Sequence, residues 1–505
     1  MSFPHTSIGF WLPRRAELTP DRRALVLDDR SFTYRELDER AARCANVLAS
    51  VGVGPGDRVG ALLDNGNPYV ELFFACARLG AILVPLSTRL AADELAFMTD
   101  DAGCGVLVYE GAYAETIKAF LPQTPVRRVL AVGDADDPSY EAALAAAEPT
   151  RAPERLAADD VLAIFYTSGT TGRPKGAMLT HGNFAWTNLN MIVSPGLLPD
   201  ERTLMVLPMF HVGGWNVNTL AVWWLGGTVY VERSFDPARA LALIAGHRLT
   251  GMMAVPTIYQ MMVDDASFAT TDLSSVRQFV CGGAPLPVSL IRRYHDRGVR
   301  FVQGYGLTEA APNCLVLPPE DAERKAGAAG RPYFFTDVRV VDSHDEPVPP
   351  GGTGEVIVRG PSVMKGYWRR PEETAATLRG GWLRTGDAGS IDDEGYVTIV
   401  DRVKDMFISG GENVYPAEIE RVLHAHPAIA EAAVIGIPDD RWGEVGRAIV
   451  VLRAGMDASP EEIQAHCAAH LAKFKVPASV VFASSLPRNP TGKLLKPQLR
   501  REFGA

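Results

Sequence analysis

The segment YTSGTTGRPKG, Tyr166 to Gly176, has the residue types of a loop that binds phosphate groups. Its glycines allow positive φ and a close approach of the main chain to an anion. Its hydroxyl side chains offer hydrogen-bond donors, and its lysine offers a mobile positive charge. The predicted phosphate-binding residues are Thr167, Ser168, Gly169, Thr170, Thr171, Gly172 and Lys175.

We expect this loop to join two β-strands. The apolar segment VLAIFY precedes it and GAMLT follows it, and Asn183 is placed to cap a helix that begins near Phe184. A Walker A loop has the spacing GxxxxGK[ST], and its lysine opens a helix. Here Arg-Pro separates Gly172 from Lys175, so the pattern disfavours a P-loop NTPase. A solvent-exposed linker is disfavoured because the segment lies between two apolar strands.

Three side chains of QGYGLTEA, residues 303–310, are suited to a nucleotide and its metal ion. The ring of Tyr305 can stack on a base, and Thr308 can hydrogen-bond an α-phosphate. Glu309 offers a hard oxygen ligand for a Mg²⁺ ion that bridges nucleotide phosphates. A lone glutamate in a loop is more often simply solvated, so this hypothesis depends on the neighbouring motifs.

Together the motifs resemble those of the adenylate-forming superfamily of acyl-CoA synthetases, amino-acid adenylation domains and firefly-type luciferases. YTSGTTGRPKG resembles the phosphate-loop signature of that superfamily. Five further segments follow in the expected order, so the resemblance covers nearly the whole chain, and bacterial fatty-acyl-CoA synthetases come nearest. The segments are CGGAP (281–285), QGYGLTEA (303–310), RTGD (384–387), DRVKDMFISGGENVYPAEIE (401–420) and PRNPTGKLLK (487–496).

The resemblance implies which residues hold the nucleotide. A glycine-rich turn would border adenine, and an acidic side chain would accept the ribose hydroxyls, as in other nucleotide sites. The residues implied to bind adenine, ribose or the α-phosphate are Gly283, Ala284, Gly304, Tyr305, Gly306, Thr308, Asp387 and Arg402.

Lys493 is implied to bridge the acyl carboxylate and the α-phosphate. A cation between these two anions offsets their repulsion and the charge that develops in the transition state. Because Lys493 lies in a different domain from the phosphate loop, it can act only if the small domain closes over the large one. The resemblance implies that the small domain rotates about Asp401 between half-reactions. The rotation would bring in Gly410 and Gly411, where the pantetheine arm of CoA would enter.

The segment LPMFHVGGWN, residues 207–216, lies near the expected acyl pocket, and we assign His211, Gly214 and Trp215 to it. His211 is interpreted as a pocket residue and not as a general base, because a carboxylic acid is already ionised near neutral pH. Apolar residues around this segment favour an uncharged tail. We therefore expect a medium- or long-chain fatty acid, with aryl acids of the hydroxycinnamate or benzoate type as the alternative.

The predicted activity is AMP-forming acid–thiol ligation in two steps, with ATP, Mg²⁺ and coenzyme A. ATP and the acid first form acyl-AMP and pyrophosphate, and CoA then takes the acyl group and releases AMP. A stand-alone enzyme that loads an acyl carrier protein is the main alternative. Nothing favours a luciferase-like oxygenase, and the presence of both Glu309 and Lys493 argues against a regulator that has lost catalysis.

The order of helical and strand patterns predicts the α/β elements that position these motifs. Residues 1–330 alternate between the two patterns, which indicates two β/α lobes with largely parallel sheets. Residues 331–400 form short strands separated by Gly, Pro and Asp, as is typical of a small antiparallel β-barrel. These parts make up an N-terminal domain, 1–400. An α+β pattern predicts a smaller, mobile C-terminal domain, 401–505.

Composition excludes several other classes of protein. The 505 residues carry a formal net charge of −10, so a nucleic-acid partner is disfavoured. No transmembrane segment or signal peptide is predicted, and the scattered cysteines suggest reduced thiols, so we expect a cytoplasmic protein. The sequence does not determine the oligomeric state, and a homodimer is compatible with it. His466 and His470 have the spacing of a metal pair, but no third ligand is evident nearby, which disfavours a metal site.

Overall fold

The computed structural model describes residues 7–133, 137–150, 154–167, 174–402, 405–409, 412–439, 441–471, 473–488 and 494–504, with the side chains of 402, 412 and 413 left aside. The chain divides into two compact units. The first contains Met1–Val338 and Val358–Arg384, and the second contains Arg339–Ile357 and Thr385–Ala505. The predicted hinge at Asp401 lies within the second unit and stays a prediction.

The first sheet belongs to the first unit and is mainly parallel. Its strands, in spatial order, are β15 (Arg331–Pro332), β14 (Leu315–Leu317), β13 (Phe301–Tyr305), β12 (Gln278–Gly282), β11 (Gly251–Ala254), β9 (Arg202–Met205), β10 (Thr228–Val231), β1 (Arg23–Leu27) and β2 (Arg30–Thr33). The strands from β13 to β1 run parallel to their neighbours, and β2, β14 and β15 are antiparallel.

The second sheet also belongs to the first unit. Its strands, in spatial order, are β18 (Gly366–Tyr367), β8 (Lys175–Thr180), β7 (Val161–Thr167), β4 (Ile82–Pro85), β3 (Arg58–Leu62), β5 (Val106–Glu110) and β6 (Arg128–Val132). The strands from β7 to β6 are parallel, whereas β8 and β18 are antiparallel additions. Two parallel lobes were predicted, and the structure confirms them.

Two further sheets follow along the chain. The third contains β16 (Asp337–Val341), β17 (Thr353–Arg359), β20 (Trp382–Ile391) and β19 (Leu378–Arg379) in that order, with β21 (Val397–Arg402) paired to β20. The fourth contains β23 (Glu412–Val414), β22 (Phe407–Ser409), β25 (Gly443–Leu452) and β24 (Ile429–Asp439), with β26 (Ser479–Phe482) paired to β25. The predicted antiparallel β-sheet region and the smaller C-terminal α+β part are confirmed.

Helices alternate with the strands of the first unit and cover its sheets. Those of the first unit are α1 (Trp11–Leu18), α2 (Tyr34–Ser50), α3 (Asn67–Leu79), α4 (Ala92–Ala102), α5 (Ala114–Phe120), α6 (Tyr140–Ala146), α7 (His181–Val193), α8 (Gly213–Asn216), α9 (Thr219–Leu225), α10 (Pro237–His247), α11 (Pro256–Asp264), α12 (Val288–His295) and α13 (Pro371–Thr377). The second unit contributes α14 (Pro416–His424), α15 (Pro460–His470) and α16 (Lys496–Phe503). Of the helices that the structure describes, none is long and apolar enough to cross a membrane.

Helix α7 begins earlier than the sequence suggested. Thr180 is its N-cap, and the Thr180 hydroxyl accepts a hydrogen bond from the Asn183 backbone N–H at 3.1 Å. The Asn183 side chain accepts in return from the Thr180 backbone N–H at 2.9 Å. The prediction that Asn183 caps the helix was therefore wrong, because it is the third residue of a capping box. The capping box fixes the helix directly after β8.

The two faces of the first sheet have different surroundings. Leu204, Met252, Phe279 and Phe301 lie in the large apolar core of one face. On the other face, Val280 and Val302 pack with Met191, Val217 and Ala221 of the α7–α9 region. Side chains alternate along each strand, so Thr203, Met205, Met253, Gly282 and Gly304 lie on this second face. The second face carries the candidate site.

The buried His181 at the start of α7 makes stability depend on pH. Its Nδ1 accepts a hydrogen bond from the Ile8 backbone N–H at 3.1 Å, and burial lowers its pKa from 6.5 to about 4. The unfolded chain therefore binds a proton below pH 6.5 that the folded chain does not. The free energy of unfolding is therefore highest above pH 6.5. It decreases as the pH falls towards 4, by about 3 kcal/mol in total.

We expect the thermal midpoint of the wild-type protein to fall between pH 6.5 and pH 5 more steeply than that of His181→Asn. The Asn oxygen can still accept from Ile8 but does not titrate in this range. Thermal scans of both proteins across the pH series test the expectation. Parallel decline of the two midpoints would exclude His181 as the responsible group.

Candidate active site

The predicted phosphate-binding loop is flanked by two antiparallel strands. Thr167 is the last residue of β7 and Lys175 is the first of β8, and the two are direct partners in the antiparallel ladder. The prediction that the loop joins two strands is therefore confirmed. Ser168, Gly169, Thr170, Thr171 and Gly172 lie outside the described residues, so their role stays a prediction.

Glu309 lies beside this pair of strands. Residues Thr308–Ala310 form one turn of 3₁₀-helix after β13. A carboxylate oxygen of Glu309 accepts a hydrogen bond from the Thr167 hydroxyl at 3.1 Å and from the Tyr367 hydroxyl at 3.0 Å. The Met364 backbone N–H donates to the Glu309 carbonyl oxygen at 2.8 Å. The two hydroxyl hydrogen bonds fix the direction of the carboxylate, which lies 142 residues away from Thr167 along the chain.

Tyr367 joins the two charged residues of the site. It lies in β18 opposite Ala177 of β8, and the Lys175 ammonium lies 5.3 Å from the centre of its ring. The aromatic ring faces a cation while its hydroxyl donates to Glu309. The sequence analysis did not identify Tyr367. In the sequence, this residue is marked only as the first of two aromatic residues after Gly366, and such pairs usually pack in protein cores.

The donor set around Glu309 suits a metal ion that is shared with a nucleotide. Within the described ranges, no group of three or more His, Cys, Asp or Glu side chains could hold a metal alone. Glu309 is half-buried, and its two described donors are neutral hydroxyls. Mg²⁺ commonly takes one or two carboxylates, and substrate phosphates supply further ligands. The residues present therefore fit Mg²⁺ held by Glu309 together with ATP.

Glycines lie at or next to the carboxyl ends of β12 and β13. Gly282 and Gly304 are direct partners in these adjacent parallel strands. Gly283 has φ +81°, and a Cβ there would meet the Val255 side chain at 3.5 Å. At Gly306 a Cβ would lie 1.3 Å from the Pro312 carbonyl oxygen, so only glycine fits. Such an edge allows a flat ring to lie against the backbone.

The structure brings several predicted nucleotide residues together at this edge. Gly283 and Ala284 follow β12 and are exposed, and Tyr305 ends β13. Thr308 comes three residues after Tyr305. These predicted adenine and α-phosphate residues thus lie at one end of one sheet, and their contact with a nucleotide stays a prediction.

The residues assigned to the acyl pocket differ in how deeply they are buried. His211 is half-buried, with its ring 5.0 Å from that of Phe210. Trp215 is completely buried, its ring stacks on Phe73 at 4.4 Å, and its indole N–H donates to the Met209 carbonyl oxygen. The structure therefore places Trp215 in the core and not in a pocket wall.

A small cleft of about 10 Å³, enough for about one water molecule, lies beside this segment on the second face of the sheet. Gly214 borders it, and a Cβ at Gly214 would lie 2.8 Å from the Pro208 carbonyl oxygen. The glycine therefore keeps the segment close to the strand end. The residues around the cleft are Thr203, Leu204, Met205, Leu207, Gly213, Gly214, Asn218, Thr219 and Met253. Most of this lining is apolar. The sequence analysis did not identify Thr203 or Asn218.

The second unit holds the predicted ribose and hinge residues. Asp387 is buried in β20, opposite Arg402 of β21, and its backbone N–H donates to the Thr385 hydroxyl at 3.0 Å. The Asp401 carboxylate accepts from the Ala417 backbone N–H at 2.7 Å, in the first turn of α14. A carboxylate is favourable at a helix N-terminus. The Arg402 side chain and residues Gly410, Gly411 and Lys493 lie outside the described set.

The histidines of α15 hydrogen-bond to main-chain carbonyls. Nε2 of His466 lies 3.0 Å from the Val422 carbonyl oxygen, and Nδ1 of His470 lies 2.8 Å from the His466 carbonyl oxygen. These bonds give both rings a structural role in the second unit.

Comparison with known proteins places these features in context. The AMP-binding enzyme family model matches residues 12–368, and the AMP-binding enzyme C-terminal domain model matches residues 418–493. A feruloyl-CoA synthase from Amycolatopsis sp is 47% identical over 98% of this chain and 99% of its own length. The long-chain-fatty-acid–CoA ligase FadD13 of Mycobacterium tuberculosis is 41% identical over 99% of both chains. The crystal structure of ATP-bound MatB from Rhodopseudomonas palustris has a TM-score of 0.90 at 34% identity, covering 98% of this chain and 99% of that chain.

Proposed function

The chain belongs to the AMP-binding enzyme family of acyl-CoA ligases, and from that membership we propose that it joins an aryl carboxylic acid of the hydroxycinnamate type to coenzyme A. ATP is converted to AMP and pyrophosphate. The observation that carries the choice of acid is the 47% identity to a feruloyl-CoA synthase over almost the full length of both chains.

The relatives give different weight to the two classes of acid. The feruloyl-CoA synthase is 47% identical to this chain, and the long-chain-fatty-acid–CoA ligase is 41% identical. The sequence analysis favoured a fatty acid and kept aryl acids as the alternative, and we now favour the alternative.

A fatty acid remains the second candidate. Leu204, Met205, Leu207 and Met253 give the cleft an apolar lining, and a ligase of long-chain fatty acids is 41% identical to this chain. The two candidates share the reaction and differ only in the group attached to the carboxylate.

In the first step, a carboxylate oxygen of the acid attacks the α-phosphorus of ATP, and the bond to pyrophosphate breaks. The loop between Thr167 and Lys175 holds the departing phosphates, and Thr308 donates to the α-phosphate. Lys493 lies between the two anions and offsets their repulsion, so catalysis is mainly positioning and electrostatics. Glu309, whose carboxylate is oriented by Thr167 and Tyr367, would hold Mg²⁺, and the ion would supply positive charge that offsets the phosphate charge.

In the second step, the CoA thiolate attacks the acyl carbonyl carbon, and the C–O bond to AMP breaks. Asp387 holds the ribose, so AMP keeps its position while the acyl group is transferred to CoA. The C-terminal domain turns about Asp401 between steps, which removes Lys493 and presents Gly410 and Gly411 to the pantetheine arm. Hinges of this kind need only a few residues that absorb the change of φ and ψ.

A panel of acids tests the proposal. Ferulate, 4-hydroxycinnamate, benzoate, octanoate and hexadecanoate are each assayed for pyrophosphate release with ATP and CoA. We expect kcat/KM for the hydroxycinnamates to exceed that for both fatty acids by about 100-fold, a ratio that one well-made polar contact can produce. A higher kcat/KM for hexadecanoate than for the hydroxycinnamates would contradict the proposal and favour the second candidate, a fatty-acid ligase. Replacing CoA by a phosphopantetheinyl carrier protein identifies the acceptor.

A further inference from the structure

Asp101 is a nearly buried carboxylate that has no part in the two reaction steps. It is the second-to-last residue of α4, and its side chain is 11% exposed. A negative charge at the carboxyl end of a helix is unfavourable, because the helix dipole is negative there. Two contacts offset this cost. The Arg370 guanidinium lies 2.6 Å from one carboxylate oxygen, and the Tyr166 hydroxyl donates to the other at 2.8 Å.

The main chain of Asp101 strengthens the same connection. The indole N–H of Trp368 donates to the Asp101 carbonyl oxygen at 3.1 Å, and the Trp368 backbone N–H donates to the Gly176 carbonyl oxygen at 2.7 Å. Gly176 is in turn the direct partner of Tyr166 in the ladder between β7 and β8. Asp101 thus connects the end of β7, the start of β8 and the residue that follows β18.

The same strand ends carry the Glu309 site on their opposite face. Successive side chains of an extended chain point to opposite sides, so the neighbours of Tyr166 and Trp368 point away from α4. These neighbours are Thr167 and Tyr367, and both of their hydroxyls donate to the Glu309 carboxylate. A shift of the strand ends on the Asp101 side would therefore move both hydrogen-bond donors of Glu309.

We propose that Asp101 is a positioning residue for acyl-adenylate formation. Through Tyr166 and Trp368 it holds the strand ends from which Thr167 and Tyr367 direct the Glu309 carboxylate. The inference rests on the proposed function, which assigns Glu309 to the first step. Replacing a group that orients a metal ligand commonly lowers metal affinity or activity by about 10- to 100-fold. Asp101 acts through further residues, so its effect belongs at the lower end of this range.

Separate assays of the two half-reactions test the proposal. Asp101→Asn should lower the rate of acyl-adenylate formation about 10-fold and raise the Mg²⁺ concentration needed for half-maximal rate. Thioester formation from supplied acyl-adenylate and CoA should stay at the wild-type rate. Asp159→Asn is the matched control. Asp159 also pairs with a cation beside β18, Lys365 at 2.8 Å, but its side chain is 78% exposed. This variant should match wild type in both half-reactions.

A double variant distinguishes positioning from a general structural role. In Glu309→Gln the carboxylate charge is already lost, so adding Asp101→Asn should change the Mg²⁺ dependence by less than about two-fold. Calorimetry of ATP binding without an acid gives a measurement apart from turnover. Asp101→Asn should weaken ATP binding about 10-fold when Mg²⁺ is present and leave it nearly unchanged when Mg²⁺ is absent.

The outcomes separate this role from the proposed function. Equal losses in both half-reactions, or a lower thermal midpoint with wild-type Mg²⁺ dependence, would show that Asp101 only stabilises the fold and would overturn the proposal. If Asp101→Asn does not fold, Tyr166→Phe, which removes one hydroxyl, decides by the same measurements. A wild-type protein that releases no pyrophosphate with any acid would overturn the proposed function, and the calorimetric comparison would still decide the role of Asp101.

Discussion

Replacing Lys493 by alanine should reduce acyl-adenylate formation by about 1,000-fold or more, because the cation that offsets two anions in the transition state is lost. Thioester formation from supplied acyl-adenylate and CoA should stay within a few-fold of wild type. In that half-reaction the attacked group is an anhydride, and no phosphate is attacked. Pyrophosphate release and thioester formation, measured separately in single-turnover experiments, give the two rates.

A surface lysine provides the control for this prediction. Lys118 is 60% exposed and pairs with Glu115 on the same helix, so Lys118→Ala removes a lysine from the protein without approaching the site. Both half-reactions should stay at the wild-type rate in this variant. Equal loss of both half-reactions in Lys493→Ala would contradict the idea that the C-terminal domain presents different residues in the two steps.

Replacing Glu309 by glutamine should reduce acyl-adenylate formation by about 100-fold and raise the Mg²⁺ concentration needed for half-maximal rate. The amide oxygen can still accept from Thr167 and Tyr367, so the local structure is preserved while the negative charge is lost. Pyrophosphate release measured across a Mg²⁺ series separates the effect on metal binding from the effect on the maximal rate.

Two variants distinguish charge from geometry at Glu309. Tyr367→Phe removes one hydrogen bond to the carboxylate but keeps its charge, so we expect a loss of only about 10-fold. Glu320→Gln removes a charge from an exposed glutamate on the same unit and should have no effect. Wild-type Mg²⁺ dependence in Glu309→Gln would show that this carboxylate does not hold the ion.

The sequence predicted those parts of the site that depend on local chemistry. Apolar segments on both sides of the phosphate loop indicated the two strands, and the ladder from Thr167 to Lys175 confirms them. Gly282 of CGGAP and Gly304 of QGYG lie side by side in β12 and β13, and the adenine contact that the resemblance implies there stays a prediction. In both cases the signal and the structure lie within a few residues of each other.

Tertiary packing decided what the sequence could not. Trp215 was assigned to the acyl pocket, but α8 turns its ring onto Phe73, and a single tryptophan does not reveal which side of a short helix faces the core. Tyr367 meets Glu309 across 58 residues, a contact that no local pattern encodes.

The central claim is that the acid is activated as an acyl-adenylate, and oxygen tracing tests it most directly. In this mechanism a carboxylate oxygen becomes bonded to the α-phosphorus and stays there when the thiol attacks the carbonyl carbon. With ferulate labelled with ¹⁸O in its carboxylate, ATP and CoA, mass spectrometry should find one ¹⁸O in the AMP and none in the pyrophosphate. Unlabelled AMP, or label in inorganic phosphate accompanied by ADP, would contradict the account.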